Sequence, residues 1–382
     1  TNDGPLMTHD TLKQARALLD NADRRLAEQS AVIGLDGFVD RIQRPVARVD
    51  TAAGTNIHFP GIADFAERVR AAAGKSAAIA LDTQQVKLGG NGPIMANALA
   101  ALGLPLTYVG AVGHGNGIHP VFHPLAESCD VVPVCPVAKT DALEFDDGKL
   151  MLQQMDCLAQ LTWDAIVEAL GADRLQQAFD AATLLGLNHW ASLPHMNDIW
   201  QALQTEVCPR LTPAPRRVAF FDLGDLVKRS ADEIATALTL IAGFNPWYDT
   251  ALGVNMVESE TICQALGLAT DDDLPEDERV CTRARRLQQA TGIGLVAVHP
   301  LACAAAADAD GAAVVPGPYT PKPKISTGAG DHFNSGLCLG LLLGGGPAGA
   351  VQLGVAASGY YVRHAASAST QQLAGFLEEM QN

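Results

Sequence analysis

ISTGAGDHFNSGLCLGLLLGG, residues 325–345, is the stretch on which the reading of the whole chain turns. Gly328 and Gly330 flank an alanine, Asp331 follows, and an apolar run comes after it. Glycines so placed let a turn expose consecutive N–H groups with no Cβ in the way, and a helix beginning near Asp331 adds its partial positive end. Such a nest suits a phosphoryl group. Taken by itself, an aspartate in a first helical turn is more often an N-cap. Its partners elsewhere in the chain decide between the two.

With 382 residues and 48% hydrophobic composition, the chain can bury the core of one large α/β domain. A net charge of −16 offers no electrostatic footprint for nucleic acid or for an anionic membrane surface. An anionic ligand can still bind where helix N-termini and backbone amides override the global field. No apolar stretch reaches the ~18 residues of a membrane span. The opening TNDGPLMTHDTLKQ lacks the charged-then-apolar pattern of a signal segment, so a cytoplasmic protein is expected. Cysteines 129, 135, 157, 208, 263, 281, 303 and 338 form no C-x-x-C pair and read as reduced, mostly buried thiols.

Leu12, Ala15, Leu18 and Leu19 recur at helical intervals and predict an N-terminal helical extension over 1–30, ahead of one domain over 31–382. The apolar runs LTYVGAVG (106–113), TLLGLNHW (183–190), RVAFFDLG (217–224), ALGVNM (251–256) and GLVAVHP (294–300) read as buried parallel strands. Helical patterns lie between them, which implies an α/β fold with a central, mostly parallel sheet flanked by helices on both faces. TDALEFDDGKLMLQQ (140–154) breaks that rhythm with two β-capable arms around Asp146-Asp147-Gly148-Lys149, a hairpin signal. A small β element should project there, with residues 40–58 as a weaker contributor. The acidic run at 271–278 reads as a solvated loop.

No G-x-x-x-x-G-K-[ST] occurs, which excludes a P-loop. GGNGPIMANALAALG has Met95 where a dinucleotide fingerprint needs its third glycine, which weakens an oxidoreductase reading. The sequence resembles the ribokinase-like (PfkB) carbohydrate kinase family. GGNGPIMANALAALGLPLTYVGAVG (89–113) is similar to that family's first signature, STGAGDHFNSGL (326–337) to its second, and Asn255-Met256-Val257-Glu258 to its N-x-x-E motif, in the family's order. The resemblance spans roughly residues 31–380. It implies a ribokinase-like fold with a small β lid from segments near 40–60 and 105–155. It further implies ATP and Mg2+, often a monovalent cation such as K+, and a homodimer formed through the lid.

By the same resemblance Asp331 is the expected general base, and the amides of Gly328, Ala329 and Gly330 form the anion hole for charge developing during transfer. A carboxylate at a helix N-terminus is expected to have a low pKa, which a loose transition state with late proton transfer tolerates. Asn255 and Glu258 are expected to organise Mg2+ and the phosphates through water, because Mg2+ dehydrates reluctantly. By spacing alone they are a cap and its i+3 partner. Thr327 and Asn334 fall on the nucleotide side, although Asn334 alone is an ordinary helix-surface amide. For the acceptor, Asp40 in GLDGFVDRI stands where the family's hydroxyl-binding aspartate stands, and Asp36 competes with it. Either carboxylate suits vicinal hydroxyls, and either suits a turn. Gly89 and Gly90 match the family diglycine, which permits close backbone approach, and Asn91 follows them.

Two departures stand out. Four residues after the second glycine, where relatives carry asparagine, this chain has Ile94. His114, His119 and His123 occupy a segment where relatives carry an acidic Gly-rich turn; their spacing fits no zinc motif, and they read as loop histidines. Asn188, His189, Trp190 and His195 lie where a strand ends and could line an acceptor pocket, or Trp190 could simply be packed. The expected reaction is ATP-dependent phosphorylation of a hydroxyl on a sugar or sugar-like small molecule. A nucleoside kinase of the same family and a catalytically silent sugar-binding regulator stay open. The residues leave the acceptor, the hydroxyl attacked and the oligomeric state undetermined.

Overall fold

VAFFD becomes a strand because both its faces are covered: Val218 and Phe220 pack into one helical layer, Ala219 and Phe221 into the other. A doubly buried strand has no polar alternation to display, which is why such segments read as continuous apolar runs. The computed structural model describes residues 8–115, 117–214 and 216–381. Residues 1–7 of the expected N-terminal extension lie outside them.

Nine strands form the main sheet, in the order Ala312–Pro316, Cys303–Ala307, Leu295–Val298, Asp249–Val254, Val218–Asp222, Leu184–Leu187, Ala31–Leu35, Leu106–Gly110 and Asp130–Pro133. From Leu295–Val298 onward every pairing is parallel, and the two strands before it add an antiparallel edge. One helical layer holds Trp163–Leu170, Ala172–Ala181, Met196–Ala202, Ala231–Ala242, Met256–Ala265 and Glu276–Thr291. The other holds Thr8–Leu18, Asn91–Ala101, Ala329–Leu342, Gly346–His364 and Thr370–Glu379. The expected α/β architecture is therefore present. The chain builds outward from Ala31–Leu35 to one edge, then returns to Leu184–Leu187 on its other side. That reversal opens a crevice at the carboxyl ends of the strands.

A second, five-stranded sheet is organised on the long strand Phe38–Asp50. It pairs in parallel with Ala138–Phe145, which continues through the hairpin to Gly148–Gln154, and antiparallel with Thr55–His58 and Leu81–Gly89. The hairpin expected at 140–154 is there. Leu81–Gly89 joins it with few buried side chains and so with no apolar run to announce it. Within 105–155, by contrast, Leu106–Gly110 and Asp130–Pro133 belong to the main sheet, paired outward from Ala31–Leu35.

The N-terminal helix seats Leu12, Ala15 and Leu19 in the same layer as Ala329–Leu342. Thr11 Oγ1 donates to the buried Gln352 Oε1 at 3.0 Å, and Arg16 Nε meets Glu378 Oε1 at 2.8 Å, so the first described helix lies against the last. No described helix is long and apolar enough to cross a membrane. All eight cysteines are free thiols.

Candidate active site

Four strand ends deliver polar groups to the crevice. Ala31–Leu35 runs into Asp36, Leu184–Leu187 into Asn188 and His189, Val218–Asp222 ends on Asp222, and Asp249–Val254 runs into Asn255. Asp36 is fully buried and both its oxygens are engaged. Oδ1 accepts from the Gly92 amide at 2.8 Å, and Oδ2 meets the Asn91 amide at 3.0 Å and His189 Nδ1 at 2.6 Å. Tyr108 donates its hydroxyl to the Asp36 carbonyl. Asp36 thereby ties the passage at 36–37, where the chain enters the small sheet, to the passage at 89–90, where it leaves. His189 Nε2 lies 2.9 Å from Ser192 Oγ. Burial opposes charge on this imidazole, but the Asp36 carboxylate, by charge and hydrogen bond, and Asp222 outweigh it and raise the His189 pKa.

Asp40 sits on the small-sheet strand, opposite Lys87 on one side and Thr140 on the other. A Cβ on Gly89 would stand 2.3 Å from the Asp40 carboxyl carbon, so only glycine admits the carboxylate there. Burial raises the Asp40 pKa, while Thr140, Lys87 and Lys149 pull it down.

The Ala329–Leu342 helix has Gly328 as its N-cap at φ 93°, with no side chain capping it. Asp331 is thus not the N-cap, and its half-buried carboxyl lies in the first turn. The Ala329 amide donates to the Ser326 carbonyl at 3.2 Å. Gly330, in the first turn, has no intrahelical acceptor for its N–H. The low pKa expected of Asp331 is reversed. Burial, then Asp222 and Asp36, raise it well above the usual carboxylate range, outweighing the helix end and its own backbone amide, and Glu258 adds to the rise.

Asn334 is likewise not a surface amide. It is 2% exposed, its Nδ2 donates to Asp222 Oδ2 at 3.0 Å, and its Oδ1 is buried beside Gly253 with no hydrogen-bond partner. Asp222 Oδ1 accepts from Asn91 Nδ2 at 3.0 Å. One carboxylate therefore joins the diglycine loop to the helix that carries Asp331. Sequence reasoning missed Asp222, although its place at the end of the predicted strand at 217–224 is a signal that could have found it. Burial raises its pKa, only partly offset by His189 and Asn91.

Asn255 and Glu258 form a reciprocal capping box, each amide donating to the other's side chain at 2.9 Å. Burial and the charge of Asp222 push Glu258 up to about 8. Both residues line a cavity of about 410 Å³ with Asn91 and His189, and Met151 and Gln153 of the small sheet close it from the other side. Gln153 accepts from Lys228 Nζ at 3.0 Å, and Lys149 Nζ donates to Thr327 Oγ1. The small sheet is thus fastened across the crevice at two points.

Ile94 lies where a Gly328 side chain would go, 3.3 Å from that Cβ position, so it packs beneath the glycine turn. Of the group at 188–195, His189 lines the cavity and Asn188 donates to the Gly34 carbonyl at 3.2 Å. Trp190 is packed, its indole donating to Asn197 Oδ1 at 2.7 Å, and His195 pairs outward with Asp198. His114 and His123 are exposed, and His119 Nδ1 caps a short turn at Val121. Among the described residues, no group of three or more His, Cys, Asp or Glu side chains could hold a metal ion directly.

A family model for prokaryotic ketohexokinase matches residues 7–380. The ketohexokinase of Haloferax volcanii is 29% identical over 371 residues, which cover 96% of this chain and 95% of that one. Ribokinase from Thermotoga maritima superposes with a TM-score of 0.61 at 15% identity, over 92% of this chain and 99% of its own. Ribokinase of Arabidopsis thaliana, in a complex with ribose and ATP, superposes with a TM-score of 0.60 at 15% identity over the same shares. These two structures speak to fold, whereas the family match spans nearly the whole chain. On that match the chain belongs to the prokaryotic ketohexokinase family, and it is a sugar phosphotransferase on the ribokinase fold.

Proposed function

We propose that the enzyme transfers the γ-phosphoryl group of ATP to a hydroxyl of a ketohexose, with Asp331 as general base. The observation that carries this reading is the setting of Asp331, one turn into a helix whose start is a positive-φ glycine, with its proton affinity raised by burial and by three neighbouring carboxylates. A raised pKa makes this aspartate a better proton acceptor than an exposed one. The acceptor oxygen forms its bond to phosphorus as the bond to the β,γ-bridging oxygen breaks; ADP departs, and the hydroxyl proton goes to Asp331. The free amides of Gly328 and Gly330 face the charge that develops, and the Ala329 amide joins them by giving up its long bond to Ser326.

Asp40 rather than Asp36 takes the acceptor, because the Asp36 oxygens already serve Asn91, Gly92 and His189. Asp36 and His189 instead fix the diglycine turn. Burial and neighbouring carboxylates raise the proton affinity of Asp222, Glu258 and Asp331, a setting that a cation held through water would relieve. Asn255 and Glu258 would hold Mg2+ through water, and the ion would neutralise phosphate charge. The small sheet acts as the lid, and its exposed Val49, Val86 and Leu152 supply apolar surface for the expected homodimer.

ADP release and product phosphorus NMR across ketohexoses, aldoses, polyols and nucleosides test the reading. Ketohexose turnover is expected, and turnover of nucleosides alone would remove the acceptor assignment. Asp331→Asn should lower kcat by about 10²–10⁴-fold with ATP affinity by calorimetry nearly unchanged. Full turnover in that variant takes Asp331 out of the base role.

A further inference from the structure

The glycine turn meets a cation that comes from the other sheet. Lys149, on the exposed arm of the 140–154 hairpin, donates its ammonium to Thr327 Oγ1, the residue before Gly328. Its charge also acts on Asp40, lowering that carboxylate's proton affinity. The ammonium therefore lies within reach of both ends of the reaction, the turn offered to the donor phosphoryl and the carboxylate offered to the acceptor. Lys87, on the paired strand, acts on Asp40 as well, but Lys149 is the cation bonded to the glycine turn. Further cations nearby have partners of their own. Arg229 is taken up by the Trp190, Ala191 and Leu193 carbonyls and Glu233, Arg41 by Asp141, Arg44 by Asp146, and Lys228 by Gln153. Against these stand four carboxylates and an incoming polyphosphate.

Resting on the phosphotransfer reading above, we propose that Lys149 is a catalytic cation, which exchanges Thr327 Oγ1 for an oxygen of the transferring phosphoryl group. The lysine keeps all its protons throughout. The acceptor oxygen gains the phosphorus, ADP leaves with the electron pair of the broken bond, and Asp331 takes the hydroxyl proton. Because the ammonium rides on the hairpin, transfer requires the small sheet to be closed over the crevice. ATP hydrolysis by water with the sheet open is slow for the same reason.

Lys149→Met and Lys149→Arg test this, since an exposed side chain can be changed without touching the core. Lys149→Met should lower kcat about 10²-fold, as loss of one transition-state donor does, with the ketohexose KM shifted far less. It should also weaken binding of ADP with aluminium fluoride and ketohexose, a mimic of the transferring phosphoryl, by a similar factor, while ADP alone binds as before. Lys149→Arg should recover much of the rate. A kcat in Lys149→Met close to the wild type, or equal losses in ADP and mimic affinity, overturns the proposal. A wild-type enzyme that phosphorylates no sugar instead overturns the reading beneath it, and that is known before any variant is made.

Discussion

Gly89 carries no side chain because Asp40 already fills the space one would take. Gly89→Ala must displace that carboxylate. The expected result is a ketohexose KM raised at least about tenfold, with about 1–3 kcal/mol lost in urea unfolding from overpacking. An unchanged KM would mean that Asp40 does not hold the acceptor. The diglycine was legible in the sequence, and so were both aspartates. Which of them is free to bind was not, because Asp36 is occupied by groups 55, 56 and 153 residues away. Asp331 shows the same limit from another side. Local reasoning sees a helix end that lowers its pKa, but the carboxylates that raise it arrive from three other segments. Asn334 lies on the expected helix but is buried rather than at its surface, for only the fold brings Asp222 beside it.

At the scale of the element, the helix after the glycine turn begins without a side-chain cap, and two aromatic rings steady the turn instead. Tyr361 donates its hydroxyl to the Thr327 carbonyl at 2.9 Å, and His332 Nδ1 donates to the Gly328 carbonyl at 2.7 Å. The rings stack, 3.6 Å between centroids. With Nδ1 donating, Nε2 must accept from Ser367 Oγ, 2.9 Å away, which fixes a neutral tautomer. Burial keeps it neutral by pushing its pKa down to about 4. His332→Phe keeps the stack and loses the hydrogen bond, so kcat should fall by roughly fivefold, about the worth of one neutral bond. The deficit should be the same at pH 6 and pH 8; a deficit that grows with pH would contradict the neutral ring. The apolar run of this helix was plain in the sequence. Tyr361 was not, since no periodicity marks a side chain whose partner is a carbonyl 34 residues away.

For the molecule as a whole, the carboxylates of the crevice make stability depend on pH in an unusual direction. Glu258 is pushed from an ordinary 4.5 up to about 8, and Asp222 and Asp331 are raised too. A group that binds its proton more tightly in the folded state stabilises fully below its unfolded pKa and loses that contribution as pH rises through the folded one. His189, also raised, acts in the same sense. Glu233, held down to about 2 chiefly by the Ser230 amide and hydroxyl, loses its contribution only as pH falls below the ordinary glutamate range. Tm of the ligand-free enzyme should therefore decline from about pH 5 to about pH 8, and Mg2+ with ATP should restore more of it at the higher pH. A flat profile across that window, checked by thermal unfolding, would contradict the strained set of charges. At this scale the sequence was most readable, because alternation of doubly apolar runs with helical patterns survives without any knowledge of contacts. The parallel sheet, its two covered faces and the hairpin follow from it. The exposed strand Leu81–Gly89 does not, having little to bury. The first and last described helices touch through Arg16 and Glu378. A short linker between them would close the backbone into a ring, and that ring could be reopened in the loop between Met256–Ala265 and Glu276–Thr291, since the acidic run expected to be loop over 271–278 is already helical from Glu276. The result is a circular permutant with the crevice intact, one that moves the points of attachment for a label or a surface to the far helical layer.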